Sequence, residues 1–289
     1  MVKKNKSRDE NYWKVLNSLK EREFFKDTLK QLKSKRLIFT VTTGRSGTGY
    51  LAKMLSLFPS IYAFHEPEPD FVDVMRKAIE KPELAVKFWV FKKLPVIAKL
   101  LKNIYCETSH LFCKGFFYPL LDLGILPELI ILRRERRKVA KSLFELDTIP
   151  GRTPLAIFYY LKPDDRGVYL PLANWQKLHD YQLCYWYCLE IEKRMEIYRE
   201  EVLKRGGKVY EAEFSSLLSL EGFISFVDKM GILPSHPENI IEKLKQQIGK
   251  KINEKREEKV RKLEKELSTS QIEELEREVE NLVGYSGYK

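Results

Sequence analysis

The sequence predicts an α/β fold in which a mainly parallel β-sheet lies between layers of helices. Short apolar runs rich in Val, Ile, Leu and aromatic residues, typical of buried strands, alternate along the chain with longer segments of helical periodicity. No internal repeat or low-complexity tract interrupts the alternation. Because parallel neighbours need crossover helices between them, this pattern favours one α/β domain with helical segments at both ends.

Local pattern places the elements in chain order. Strands are predicted at residues 36–43, 103–110, 126–134 and 208–214, with a short extended segment at residues 60–64. Helices are predicted at residues 50–58, 71–102, 115–124, 135–146, 180–204 and 219–233, and from residue 238 onward. The stretch from Asp147 to Asn174 is rich in Pro, Gly, Asp and Tyr, and it is predicted as a long irregular excursion of the kind that often binds ligands.

The two ends of the chain differ in character from its middle. Residues 1–35 are predicted as a basic, amphipathic helical extension, because eleven Lys and Arg face five Asp and Glu between residues 3 and 35. Residues 36–289 are predicted as a single α/β domain, whose part from 238 to 289 is charged and helical. We expect the N-terminal helix to pack on the core; a peripheral contact with a membrane surface or an acidic partner is the alternative.

Charge and composition narrow the class of protein. The formal net charge of +11 suits nucleic acid, an anionic membrane surface or a small polyanionic ligand, and it does not choose among them. The four cysteines lack the spacing of a zinc site and are predicted as buried, reduced thiols. No segment reaches about eighteen apolar residues, and the N-terminus has no apolar signal core, so a soluble, cytoplasmic protein is expected.

A glycine-rich turn separates the first strand from the helix that follows it. The segment "TTGRSGTGY" places three glycines in six residues, so that backbone N–H groups and the positive end of the helix can converge on an anion. Hydroxyls and a guanidinium add further donors. The predicted anion-binding residues are Arg45, Ser46, Gly47, Thr48, Gly49 and Tyr50.

This turn lacks the parts that a nucleotide hydrolase needs. A phosphate-binding loop of that kind has the pattern G-x-x-x-x-G-K-[ST], in which Lys reaches the β- and γ-phosphates and the hydroxyl holds Mg²⁺. The spacing from Gly44 to Gly49 fits, but Tyr50 and Leu51 stand where Lys and Ser or Thr belong. Nucleotide hydrolysis is therefore disfavoured.

Two segments resemble the sulfotransferase superfamily, particularly its Golgi-type and bacterial members. "GRSGTGYLAKML" is similar to the 5′-phosphosulfate loop, and "LIILRRERRKVAKS" is similar to the strand and helix that bind the donor's 3′-phosphate through an Arg and a Ser nine residues later, here Arg133 and Ser142. The family often has Asp-Pro after this Arg, whereas Arg134 and Glu135 follow here. The resemblance implies a three-layer fold like that of P-loop NTPases, 3′-phosphoadenosine 5′-phosphosulfate as donor, 3′,5′-adenosine bisphosphate as product, and no metal.

The same resemblance suggests where the base for the acceptor lies. A catalytic Glu in similar enzymes follows the loop at about the distance of Glu66, and a catalytic His in cytosolic members precedes the 3′-phosphate Arg at about the distance of His110. The choice between these two stays open. Glu68 and Asp70 are nearby alternatives to Glu66, and His65 is a weaker third candidate. The resemblance gives Glu211 a structural role, and "GKKINEKREEK" at residues 249–259 resembles the family's basic closing segment.

These observations predict a sulfotransferase that acts by in-line transfer to a hydroxyl or amine with a general base. The alternatives are a small-molecule kinase with an atypical phosphate loop, or a non-catalytic nucleic-acid-binding protein that uses the basic N-terminus and "RRERRK". We interpret Arg134, Arg136, Arg137 and Lys138 of that run as a solvated face, and we expect no nucleic-acid partner. The acceptor is expected to be a small molecule, a saccharide or a lipid, selected by the aromatic side chains of the 147–174 excursion.

Overall fold

The sheet confirms the predicted α/β fold. The computed structural model describes residues 8–250 and 263–287, and in this part of the chain five strands form one sheet with all pairings parallel, in the order β2-β3-β1-β4-β5. The strands are β1 (Arg36–Val41), β2 (Ile61–Phe64), β3 (Ile104–Glu107), β4 (Glu128–Arg133) and β5 (Val209–Glu213). The short extended segment of the sequence is thus an edge strand, β2.

Helices cover both faces of the sheet. They are α1 (Glu10–Lys20), α2 (Glu23–Leu32), α3 (Thr48–Leu55), α4 (Val72–Glu80), α5 (Glu83–Phe88), α6 (Leu94–Ala98), α7 (Phe117–Asp122), α8 (Arg136–Glu145), α9 (Pro154–Tyr159), α10 (Asp180–Lys204), α11 (Leu220–Lys229), α12 (Glu238–Gln247), α13 (Leu263–Glu266) and α14 (Thr269–Val283). A π-helical turn, Trp89–Lys93, joins α5 to α6. No described helix is long and apolar enough to cross a membrane.

The sheet separates two apolar cores. Successive side chains of a strand point to opposite faces, and accordingly Phe39 of β1 lies in one core while its neighbour Ile38 lies in the other. The larger core is rich in aromatic rings, such as Trp89 packed edge-on against Phe39 at 5.5 Å between ring centroids. Helices on two faces of a buried parallel sheet give the predicted three layers. The four cysteines are free and buried, as predicted.

The N-terminal segment forms two helices where the sequence predicted one. Asp9 caps α1 by accepting a hydrogen bond from the Tyr12 N–H, and the chain leaves helical geometry at Arg22 before α2 begins. Tyr12 and Phe25 are completely buried in the larger core, so both helices are packed on the helical layer. Residues 1–7, 251–262 and 288–289 of the predicted terminal segments, including most of the basic closing segment, lie outside the described residues.

The strand order fixes where a ligand can bind. Strand β1 is central, between β3 and β4. The connection from β1 leads to β2, on the side of β3, whereas the connection from β3 leads across β1 to β4 on the other side. In open α/β sheets, ligands bind at the carboxyl ends of the strands where the order reverses in this way. The segments that leave the carboxyl ends of β1, β2 and β3 contain the glycine-rich turn, Glu66 and His110, and Arg133 is the last residue of β4.

Candidate active site

The glycine-rich turn is shaped for an anion. Arg45 and Gly47 both have left-handed backbone conformations, with φ of 65° and 91°. A Cβ at Gly47 would lie 2.0 Å from the ring of Phe214, so only glycine fits that position. Helix α3 begins at Thr48, and the N–H groups of its first turn have no acceptor within the helix. These donors, with the positive end of the helix, can bind a phosphate-like group.

Two predicted side-chain donors of this turn are used within the protein. The Ser46 hydroxyl, which we expected to donate to the ligand, donates instead to the Thr43 carbonyl at 2.6 Å and contacts the Thr42 hydroxyl at 2.6 Å. The buried Tyr50 hydroxyl donates a hydrogen bond to the Leu217 carbonyl and accepts one from the Gly249 N–H, each at 3.2 Å. Ser46 therefore holds the turn closed, and Tyr50 can offer a ligand only its backbone N–H.

The turn contacts the predicted 3′-phosphate segment directly. The Nε atom of Arg45 lies 3.3 Å from the Ser142 hydroxyl, to which it donates a hydrogen bond across 97 positions of the chain. Arg134 donates to the Arg45 carbonyl at 2.6 Å and lies over the ring of Phe214. Burial, followed by repulsion from Arg45, lowers the pKa of Arg134 below its ordinary value. The fold thus brings together two motifs that the sequence placed far apart.

Arg133 is held by a carboxylate. Its Nη1 donates to Glu211 Oε2 at 2.6 Å, and Glu211 also accepts from Arg199 at 2.6 Å. Although burial alone would raise it, these hydrogen bonds bring the pKa of Glu211 below its ordinary value. The structural role predicted for Glu211 is therefore the orientation of Arg133.

The run "RRERRK" is mostly not the solvated face that we predicted. Arg136 makes ion pairs with Glu192 and Glu280, and Arg137 pairs with Glu276 at 2.6 Å. These carboxylates lie on α10 and α14, far along the chain, so no local pattern around the run indicates them. Of the four basic residues interpreted in this way, Lys138 alone has a largely exposed side chain, 65% accessible.

Glu66 and His110 lie together, on the other side of the turn from Arg133. His110 Nε2 is 3.5 Å from Glu66 Oε1, and the Ser109 hydroxyl donates to the same oxygen at 3.4 Å. Glu66 has a φ of 48°, one of four positive values among the described non-glycine residues; Arg45 is another. Such backbone conformations are costly and gather at functional sites. The structure therefore brings both predicted base candidates to one place.

Hydrogen bonds of His65 and Thr108 connect the segments on either side of Glu66 and His110. His65 Nδ1 donates to the Thr108 carbonyl at 2.8 Å, which leaves its Nε2 facing Glu66 at 4.0 Å. The Thr108 hydroxyl donates to the Thr48 carbonyl at 2.9 Å and so ties the end of β3 to the first turn of α3. The base candidates and the anion turn therefore share one hydrogen-bonded frame.

The turn that carries Glu66 rests on a buried ion pair. Lys93, from the π-helical turn, donates to the carbonyls of Pro67 and Pro69 at 3.0 and 2.8 Å and to Glu107 at 2.9 Å. Glu107 also accepts from the Tyr105 hydroxyl at 2.6 Å. Burial raises the pKa of Glu107 to about 7. π-Helical turns often occur at functional sites, and this one places Lys93 where it holds the turn that carries Glu66.

Sequence reasoning missed Lys114, which completes the group. Its Nζ lies 2.7 Å from His110 Nδ1, donates to the Tyr159 carbonyl, and lies 4.7 Å from the centre of the Tyr160 ring. The side chain is completely buried. The available signal was a single lysine inside the apolar segment "HLFCKGFFY", since a lysine is rarely buried without a specific partner.

The 147–174 excursion is a packed segment that reaches the turn. Arg76 of α4 anchors it by donating to Asp165 at 2.7 Å and to the Tyr160 carbonyl at 2.5 Å. The Tyr160 hydroxyl lies 2.8 Å from where a Cβ of Gly44 would be, and its ring centroid is 5.4 Å from that of His110. Tyr159 and Tyr160 therefore adjoin the base candidates, whereas Phe158 is exposed and Trp175 packs against Gly151.

A small cleft lies behind Lys114, between the N-terminal helices and the excursion. Apolar residues form part of its lining, and the polar part is made by cationic and tyrosine side chains, which include Arg8, Arg166, Arg194, Tyr12, Tyr118 and Tyr169. No residue of the glycine-rich turn lines it. In residues 8–250 and 263–287, no cluster of three or more His, Cys, Asp or Glu side chains could hold a metal ion.

The chain is similar to the solved structure of the sulfotransferase domain from the curacin biosynthetic pathway, with 12% sequence identity and a TM-score of 0.48, over 71% of this chain and 76% of that domain. No protein-family model matches the chain, and no curated protein matches its sequence. A likeness at this level establishes neither the family nor the activity.

Proposed function

We propose that the protein is a sulfotransferase that moves a sulfuryl group from 3′-phosphoadenosine 5′-phosphosulfate to an acceptor hydroxyl or amine. The observation that carries the proposal is the 3.3 Å contact between Arg45 Nε and the Ser142 hydroxyl, which joins the two motifs that resemble donor-binding segments. The base candidates Glu66 and His110 adjoin the same turn.

The residues present fit such a donor. The first-turn N–H groups of α3, with the Arg45 guanidinium, would hold the 5′-phosphosulfate, and Ser142 with Arg133 would hold the 3′-phosphate. Since Glu211 already engages Arg133, the 3′-phosphate would share or displace that carboxylate. Arginine and backbone donors can neutralise the charge that Mg²⁺ neutralises in kinases.

The side chains around the turn suggest a separate role for each residue in the transfer. The donor, when bound, supplies the sulfuryl group, whose bond to the 5′-phosphate oxygen breaks as the acceptor oxygen or nitrogen attacks sulfur. Glu66 takes the acceptor's proton, and His110 orients the carboxylate. Tyr159 and Tyr160 provide apolar walls beside this pair, where a small molecule, a saccharide or a lipid would be selected.

Calorimetric titration with adenosine 3′,5′-bisphosphate, AMP and ATP–Mg²⁺ tests the proposal. We expect the bisphosphate to bind more tightly than AMP and to need no Mg²⁺. Preference for ATP–Mg²⁺ would identify a kinase instead. Steeply salt-dependent binding of an oligonucleotide without competition by the bisphosphate would identify a nucleic-acid-binding protein.

A further inference from the structure

Lys114 is a buried cation for which the proposed transfer reaction has no need. It lies just beyond β3, and no ion pair joins it to a carboxylate among the described residues. Its partners are His110 Nδ1 at 2.7 Å, the Tyr159 carbonyl, and the rings of Tyr160 and Tyr187 at 4.7 and 5.0 Å. Burying an ammonium with so little compensation is costly, and buried lysines of this kind are often functional.

The contact with His110 decides where the imidazole carries its hydrogen. A neutral imidazole has one N–H donor and one acceptor nitrogen. Burial, with the adjacent Lys114, lowers the pKa of His110 well below its ordinary value, so the ring is neutral near pH 7. A protonated Lys114 must donate to Nδ1, and the hydrogen then resides on Nε2, which faces Glu66 Oε1 at 3.5 Å.

We propose that Lys114 is a positioning residue for the base: its ammonium holds His110 as the Nε2–H tautomer, whose hydrogen points at Glu66. In this state Glu66 is the group that accepts the acceptor's proton, and the tautomer decides between the two base candidates. The inference about the tautomer rests on the contact between Lys114 and His110 and on the lowered pKa of His110, whereas its consequence for catalysis rests on the proposed function.

Loss of the Lys114 proton reverses the tautomer of His110. Burial lowers the pKa of Lys114 to about 7, so the amine is neutral at higher pH. A neutral amine can accept from Nδ1–H, which leaves a lone pair on Nε2 facing the Glu66 carboxylate, with no hydrogen between them. Turnover is therefore expected to fall as pH rises through the Lys114 pKa. The charged and titratable groups that surround the pair are Arg45, His65, Glu66, Arg76, Cys113, Tyr159, Tyr160, Tyr187 and Arg194.

Nuclear magnetic resonance of the imidazole nitrogens tests the tautomer directly, without any substrate. The chain has only four histidines, so ¹⁵N-histidine labelling with His65→Gln, His179→Gln and His236→Gln variants assigns His110. We expect Nε2–H at pH 6 and a shift towards Nδ1–H at pH 9. In Lys114→Met the tautomer should lose its dependence on pH. A wild-type protein with Nδ1–H at pH 6, or a Lys114→Met variant that keeps the wild-type pattern at both pH values, would overturn the proposal.

Two further variants keep the test interpretable. Lys114→Arg retains a cation that stays protonated, so it should keep Nε2–H at pH 9 as well, even if Lys114→Met does not fold. Lys102→Met removes a partly buried lysine that donates to the Ile61 carbonyl and not to His110, and it should leave the tautomer unchanged. A changed tautomer in Lys102→Met would overturn the assignment of the effect to Lys114, because the His110 signal would then report a general disturbance.

The catalytic consequence has its own measurement. Lys114→Met should lower kcat by roughly tenfold to a hundredfold, with affinity for adenosine 3′,5′-bisphosphate unchanged, because it affects the base and not the donor site. Failure of the proposed function would appear as absent bisphosphate binding in the wild-type protein, with the tautomer result intact. Unchanged kcat and an unchanged pH profile in Lys114→Met would overturn the role in catalysis.

Discussion

The two sides of the glycine-rich turn are built differently. On the side of β2 and β3, Glu66, His110 and Lys114 form a chain of contacts. The ion pair of Lys93 and Glu107, which supports the turn that carries Glu66, is completely buried. On the side of β4 and β5, Arg133 pairs with Glu211, whose side chain is 40% exposed. We call the first the base side and the second the phosphate side.

The difference reflects what each side would do. A group that takes a proton from an acceptor needs a fixed orientation, and the contacts with His110 and the Ser109 hydroxyl give Glu66 one. A group that binds and releases a nucleotide must exchange partners, and an arginine held by a partly exposed carboxylate can do so. The base side is therefore expected to be sensitive to small changes, and the phosphate side to be tolerant of them.

The largest expected effect is on the base side. Glu66→Gln removes the proton acceptor while keeping the shape of the side chain, so kcat should fall on the order of a hundredfold to ten-thousandfold. Binding of adenosine 3′,5′-bisphosphate, measured by calorimetry, should not change. Glu68→Gln, two residues along and exposed, is the matched control. Full turnover in Glu66→Gln would exclude it as the base.

The Lys93–Glu107 ion pair beneath Glu66 should be equally sensitive to substitution, but the quantity that changes is the free energy of unfolding. Lys93→Met leaves Glu107 buried without its cation, and removing one partner of a buried pair costs about 3–5 kcal/mol. Urea denaturation should show this loss. The double variant Lys93→Met/Glu107→Leu should recover most of it, because an apolar pair leaves no unpaired buried charge. No recovery would mean that the pair itself stabilises the fold.

On the phosphate side the expected loss is in affinity. Arg133→Ala should weaken binding of adenosine 3′,5′-bisphosphate by roughly tenfold to a hundredfold, the range for a charge-assisted hydrogen bond of about 1.5–3 kcal/mol. Binding of AMP, which lacks the 3′-phosphate, should change little. Lys138→Ala, an exposed cation on the adjacent helix, serves as the control. Equal losses for AMP and the bisphosphate would contradict the assignment of Arg133.

The smallest effect is expected at the carboxylate that holds Arg133. Glu211→Gln removes a negative charge from the site, so bisphosphate affinity should rise a few-fold, while stability falls by no more than about 1 kcal/mol because the pair is partly exposed. Calorimetry and urea denaturation measure the two quantities. A marked loss of affinity would show that orientation of Arg133 by Glu211 outweighs the removal of charge.

How much of this could be predicted from the sequence differs between the two sides. The strands, the turn and the α10 bounds of Asp180–Lys204 follow from local patterns, and the sequence predicted them closely. Arg133 and Ser142 were predicted as phosphate ligands because their spacing matches a known motif, and that role stays a prediction. Lys114 was missed because its role depends on His110 and on Tyr159, 45 positions away, and not on any local pattern.

The errors have the same physical origin. Arg136 and Arg137 were interpreted as solvated because their partners, on α10 and α14, lie 56 to 144 positions along the chain. For Ser46 the residue type fits an anion site, but its hydroxyl hydrogen is used by the Thr43 carbonyl. A sequence shows which donors exist; only the folded chain shows which of them are already engaged.

A crystal structure with adenosine 3′,5′-bisphosphate is the most direct test of the proposed donor site. We expect the 5′-phosphate within hydrogen-bonding distance of the N–H groups of Thr48 and Gly49, and the 3′-phosphate in contact with Ser142 and Arg133. A nucleotide bound in the cleft behind Lys114, or a 3′-phosphate that touches neither Ser142 nor Arg133, would contradict it.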